Sequence, residues 1–162
     1  MMKYFNLFTI TILVTILLSC SSSKNSQHSN MVARMQVDEP IPGVCDNNNV
    51  IAILPFPGND QIEAIASKTD KEIEILLNSK VDFLRTHPDY NDEGTVGLIV
   101  NCKGEMVRCH ISNKTKSEEL DSQIVAVFAQ LKNWNSGKVN RKSVDTIKIF
   151  GFTINGGKVS IN

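Results

Sequence analysis

Two short runs of alternating residues, Val96-Gly97-Leu98-Ile99-Val100 and Met106-Val107-Arg108-Cys109-His110-Ile111, flank Lys103-Gly104. Side chains of a strand alternate between faces, so such a pair closes into a hairpin in which a one-residue slip would turn the apolar set to water. A loop of two or four residues gives one register, with paired numbers summing to 207. It places Val96, Leu98 and Val100 opposite Ile111, Cys109 and Val107 on one face. Gly97, Ile99 and Asn101 then face His110, Arg108 and Met106 on the other. A three-residue loop is expected to break this pattern.

Helices precede and follow the hairpin. Thr69 and Glu72 have capping-box spacing, and Ile73, Leu77, Val81 and Leu84 recur on one face, which predicts a helix from Asp70 to Arg85 ended by Thr86-His87-Pro88. A shorter helix is expected around Ile62, Ile65 and Ala66. Thr115 and Glu118 suggest a second capping box, and Leu120, Ile124, Val127, Phe128 and Leu131 a helix over Ser117–Lys132. Asn135 to Ser143 reads as a polar loop and Val144 to Ile154 as a third strand. In that strand Ile147 and Ile149 oppose Phe150, Phe152 and Ile154, through a bulge near Phe150 or burial on both faces. Asn155-Gly156-Gly157 marks a tight turn into a short strand with Val159 and Ile161. Upstream, Val50–Leu54 is a strand or an apolar peptide packed on the body. The expected class is α+β, two layers, helices on a small antiparallel sheet in the order α-β-β-α-β plus a short C-terminal strand.

The first residues read as an address. Lys3 precedes the uncharged run Leu7–Leu18, and the fourteen residues Phe5–Leu18 as a helix reach about 21 Å, short of a hydrocarbon core of about 30 Å. Leu17-Leu18-Ser19-Cys20 resembles a bacterial lipobox, which implies cleavage before Cys20 and acyl chains on it. The expected organisation is a signal peptide at 1–19, a lipid-anchored tether and irregular segment at 20–58, and a body at 59–162. Ser21 is not Asp and no acidic residue follows at once, so the anchor is expected in the outer membrane, facing the periplasm. Ser21–Asn30 is polar throughout and Pro40, Pro42, Pro55 and Pro57 disfavour regular structure nearby.

Charge narrows the function. Seventeen basic residues balance seventeen acidic ones, and loss of Lys3 with the leader leaves 16 against 17. Nucleic acid is therefore not an expected partner. Cys109 and His110 point to opposite strand faces, and Cys102, His110 and His87 lack zinc spacing, so no metal and no Cys-His nucleophile is expected. No phosphate loop or hydrolase serine motif occurs, and no cofactor is expected. Asp89, Asp92 and Glu93 read as a solvated acidic turn, Trp134 as a core anchor, Arg108 and Met106 as surface.

Cys45, Cys102 and Cys109 remain after Cys20, and an exported setting favours a disulfide. In the hairpin, Cys102 and the residue opposite Cys109 are separated by about 13 Å at ~3.3 Å per residue, beyond the roughly 7 Å a bridge allows. Cys45–Cys102 and Cys45–Cys109 remain open, and the first is favoured because Cys109 points into the expected core. Three free thiols is the alternative.

Thr95 to Phe152, with the helix before it, resembles the C-terminal domain of TonB in the form found in Bacteroidetes proteins. The resemblance lies in Gly97-Leu98-Ile99-Val100, in the turn Asn101-Cys102-Lys103-Gly104-Glu105, in Leu120-Asp121, and in Trp134-Asn135-Ser136-Gly137-Lys138-Val139-Asn140-Arg141-Lys142-Ser143-Val144-Asp145. The last stretch is similar to the family's Trp-x-Pro-Gly-x-x-Asn-Gly-Lys-Pro-Val, with Ser136, Arg141 and Ser143 for Pro, Gly and Pro. It implies structural roles for Gly104, Trp134 and Gly137. It also implies a non-catalytic module that takes an extended peptide of an envelope protein as an added strand, along an open third strand at Asp145, Thr146, Ile147, Lys148, Ile149 and Phe150. Energy transduction is not expected, because a cleaved leader leaves lipid in place of a spanning helix. The alternative is a structural unit that dimerises through the same edge.

Overall fold

The structure is a computed structural model that describes residues 33–35, 39–53 and 60–162. The leader, Cys20, most of the tether, and Pro55 and Pro57 lie outside the described residues. The elements are β1 Ala33–Met35, β2 Val50–Ala52, β3 Gln61–Ile62, α1 Asp70–Lys80, α2 Asp82–Thr86, β4 Asp92–Val100, β5 Met106–Asn113, α3 Glu118–Phe128, β6 Gly137–Val139, β7 Lys142–Val144, β8 Thr146–Asn155 and β9 Lys158–Ile161. Helices and a mixed sheet make the fold α+β. One sheet runs β1-β2-β8-β4-β5 with β9 also on β8, and a small second sheet runs β3-β6-β7.

The main core fills the space between α1, α3 and one face of the large sheet. Ile73 and Leu77 of α1, Leu120, Ile124 and Phe128 of α3, and Val96, Leu98, Phe150, Phe152 and Ile154 of the sheet meet there. A separate small cluster covers part of the opposite face: Ile41 and Val50 pack on Ile99, with Val107 and Ile147 alongside. No residue of 33–53 belongs to the main core.

The hairpin keeps the expected register at Val96↔Ile111, Gly97↔His110, Leu98↔Cys109 and Ile99↔Arg108, but its loop differs. Asn101 N donates to Glu105 O at 2.8 Å and Gly104 N to Asn101 O at 2.9 Å, closing a three-residue loop with Gly104 at φ 80°. The shift is undone by an irregularity between Ile99 and Val100, so Val100 pairs with Met106. Met106 therefore joins the main core, and Val107 crosses to the other face beside Ile99, reversing the expected placement of both.

Other expectations are corrected by long-range pairing. The Thr69–Glu72 capping box is present, but the helix breaks at Val81 (φ −85°, ψ 100°), where Phe83 N donates to Gln123 Oε1 of α3 at 3.0 Å. Residues 61–66 are extended: β3 pairs with β6, and Ile65 exchanges backbone bonds with Asn135 at 3.1 and 2.8 Å. The expected loop after Asn135 is the β6–β7 hairpin, turning at Asn140 and Arg141, both in the left-handed region. α3 is capped by Ser117, whose Oγ accepts Leu120 N at 3.2 Å, and stops at Phe128 rather than Lys132. Thr115 instead donates to Asp121 Oδ1 at 2.8 Å.

β8 begins at Thr146 and has no bulge: it pairs with β4 residue for residue from Asp92↔Ile154 to Val100↔Thr146. Its two faces are both partly covered, Phe150, Phe152 and Ile154 by the main core and Ile147 by the small cluster. Asn155 then pairs with Lys158 across Gly156-Gly157, both at positive φ.

Candidate functional site: a notch in the pairing of β8

The expected open strand is instead internal to the sheet. On the side away from β4, β2 runs parallel to β8 at Ile51↔Thr146 and Ala52↔Ile147, and Ile51 N donates to Asp145 O at 2.9 Å. β9 covers Phe152 to Asn155, and Asn162 N donates to Gly151 O at 3.0 Å. Of the six residues expected as the binding edge, Asp145, Thr146 and Ile147 are thus occupied by the chain's own strand. Lys148, Ile149 and Phe150 have no strand partner on that side among the described residues. Asp145 O and Gly151 O both face this side, so strand parity sends the backbone groups of Ile149 the same way.

The notch opens on a hollow of about 610 Å³ lined by Ile53, Gln61, Glu63, Ile65, Lys148, Phe150 and the turn before α1. Lys148 Nζ lies 2.6 Å from Glu63 Oε2 and 5.5 Å from the Phe150 ring centroid. Ile65, which lines the hollow, is 53% exposed; Ile149, on the strand face opposite Lys148 and Phe150, is 58% exposed. Gln61 carries both a donor and an acceptor, buried and without a partner among the described residues. An extended guest beside Ile149 would send alternate side chains over Phe150 and against Ile149.

One end of the notch is fastened by a clasp. A disulfide joins Cys45 to Cys102, with Cα atoms 6.1 Å apart. The Asp145 carboxylate, 2% exposed, accepts Cys45 N at 2.9 and 3.1 Å, Asp46 N at 2.8 Å and Cys102 N at 2.9 Å. Asn101 Nδ2 adds a bond to Gly43 O at 2.8 Å. Cys45, Cys102 and Asp145 converge, but the sulfurs bond each other and both carboxylate oxygens accept amides, leaving no open ligand in this group. Cys109 is a free thiol whose burial pushes its pKa up to about 11.

Gly104, Trp134 and Gly137 form the corner that holds β8 from the other side. A Cβ on Gly104 would collide with Trp134 O, and one on Gly137 with the Thr146 side chain. Trp134 is 6% exposed, donates from Nε1 to Leu131 O at 3.2 Å and meets Phe150 edge-on at 6.3 Å between centroids. Asp92 is no solvated turn: it accepts the Tyr90 hydroxyl at 2.7 Å and Lys116 N at 2.9 Å. Burial disfavours its charge, yet the Lys116 amide, the Tyr90 hydroxyl and the Glu93 amide together hold its carboxyl below the usual value.

The Asp145 clasp and the Gln61–Glu63 wall were not foreseen. A single acidic residue at the head of an apolar strand was the one signal for the first. Among the described residues no helix is long and apolar enough to cross a membrane. Comparison with protein-family models, with curated proteins and with solved structures returned no match.

Proposed function

We propose that this chain is a non-catalytic, lipid-anchored envelope protein whose TonB-C-like body takes an extended segment of another envelope protein as a short added strand. The observation that carries the reading is the stretch Lys148–Phe150, unpaired on one side among the described residues, beside a hollow that Ile53, Ile65 and Phe150 help to line. Backbone groups supply affinity in this mode, and pockets for alternate side chains supply selectivity. The order α1-β4-β5-α3-β8, with β8 beside β4, supports the TonB-C resemblance. Lys3, the short apolar run and Ser19-Cys20 support export and a lipid anchor facing the periplasm. The Cys45–Cys102 bridge fits an oxidising compartment. A lipid anchor in one leaflet has no route to an inner-membrane motor, so the module is not energy-transducing.

A second reading, a dimerising scaffold, is favoured by β5, the eight-residue edge of the large sheet, whose outer side has no partner among the described residues. A photo-cross-linking residue placed at 149, and separately at 108, in the full lipoprotein discriminates the two. Capture by 149 of a defined peptide from a different envelope protein, with the Ile149 amide protected from exchange in the purified complex, is expected. No adduct at 149 overturns the binding reading, and adducts at 108 with a second copy establish the scaffold.

A further inference from the structure

β2 is itself an added strand. It pairs with β8 through only two residues, Ile51 and Ala52, its Val50 rests in the small cluster with Ile99 and Ile147, and none of its residues belongs to the main core. The clasp concentrates its attachment: the Cys45–Cys102 bridge, the three amides on Asp145, and Asn101 on Gly43. Cys45 is exposed, whereas Asp145 beneath it is buried.

From this arrangement we infer that the Cys45–Cys102 disulfide is a redox latch. It holds the chain's own β2 over Asp145–Ile147, the place a guest strand would take, and its reduction lengthens the row of β8 left without a partner among the described residues from Lys148–Phe150 to Asp145–Phe150. The inference rests on the strand-binding reading for its purpose, but not for its test. The guest it fits is a parallel extended segment with an apolar residue at the place of Val50, set against Ile99 and Ile147. The reductant is an external dithiol. One of its sulfurs attacks the exposed Cys45 Sγ, the Sγ–Sγ bond breaks, and Cys102 leaves as a thiolate and takes a proton. The second sulfur then displaces Cys45, which also takes a proton, and the reagent departs as its own disulfide. Once the cross-link is gone, β2 is held to the body by a two-residue pairing, the hydrogen bonds of Asp145 and Asn101 and the small apolar cluster, and strand closure again carries the entropy of a long loop.

Hydrogen exchange of the full chain, oxidised and after treatment with dithiothreitol, reads the latch without any guest. Exchange at the Cys45, Asp46 and Ile51 amides is expected to rise at least tenfold on reduction, while Ile73 of α1 and Asp121 of α3 keep their protection. The Cys45→Ser/Cys102→Ser variant is expected to show the same pattern with no reductant present. Unchanged protection at Ile51 with both thiols titrated overturns the latch. So does an equal loss across α1, α3 and β4, which would make the bridge a staple of the whole fold. Lys148–Phe150 has no strand partner on that side among the described residues of the oxidised protein, so a failed latch leaves cross-linking at 149 unaffected, and a failed cross-link leaves the exchange pattern unaffected.

Discussion

Asp145 and Cys45 meet across a hundred residues of chain, with both oxygens of the buried carboxylate accepting the Cys45 amide. The same carboxylate accepts Cys102 N, so it positions both halves of the disulfide before the sulfurs bond. A hydrogen bond to a charged group contributes about 1.5–3 kcal/mol. Asp145→Ala removes three such bonds, and the loss of even one corresponds to about a tenfold drop in the effective concentration of one thiol near the other. The dithiothreitol concentration that half-reduces the bridge should fall at least tenfold in this variant, read by thiol labelling and a gel shift. Asp145→Asn, which keeps one acceptor oxygen, should fall between the two.

Cys109 gives the opposite thiol behaviour. Burial raises its pKa from 9.0 to about 11, so at pH 8 its thiolate fraction is on the order of a hundred times below that of an unburied thiol. Alkylation by iodoacetamide at pH 8 should be slower by a similar factor in the folded protein than in urea. It should become comparable only as the pH approaches 11. Rapid native labelling would mean that α3 lifts off β5.

The Tyr90–Asp92 bond defines a pH window. Asp92 is depressed below its ordinary value, so the stability it contributes is present above about pH 3.8 and is lost as pH falls through the folded value. Tyr90 is raised above 10, first by its own burial and then by the hydrogen bond and charge of Asp92, so its contribution is present below pH 10 and is lost as pH rises through the folded value. Asp92→Asn should cost about 1 kcal/mol at pH 7. That difference from the parent should shrink as melting temperatures are followed from pH 5 to pH 2.5. A constant difference over that range would remove Asp92 from the acid limb.

Gly104 permits two things at once. It adopts φ 80° and brings its Cα against the Trp134 carbonyl with no room for a methyl group. Gly104→Ala should therefore cost about 2–4 kcal/mol, combining left-handed strain with a displaced Trp134. The loss would be seen as a lower urea midpoint with unchanged m-value.

What could be read from residues alone was what repeats locally. Four pairs of the β4–β5 register follow from alternation within sixteen residues, and the Thr69–Glu72 box from a spacing of three. The turn at Cys102–Gly104 hid because a second irregularity two residues upstream restores the downstream register, leaving only Met106 and Val107 exchanged. Gln61, Ile62 and Ile65 are strands and bridges only because Asn135, Lys138 and Val139 stand beside them, and two-residue pairings carry no periodic signal. The covered side of β8 was hidden for the same reason, since β2 contributes two paired residues held by an acceptor a hundred positions away.

The division between the two apolar clusters makes a last prediction. Leu98 is fully buried among α1, α3 and β8, so Leu98→Ala leaves a cavity in the main core and should cost about 3 kcal/mol of global stability. Val50 is equally buried, at 0% exposure, but its neighbours are Ile41 and Ile99, on the far face of the sheet. Val50→Ala removes as much contact per atom, yet in the oxidised protein it should act on β2 alone. Exchange at Ile51 should quicken severalfold while the urea midpoint moves far less than for Leu98→Ala. Equal burial with unequal global cost is what a separately attached strand requires. If both variants lowered the midpoint alike, β2 would belong to the cooperative unit of the body, and the sheet would open only by unfolding.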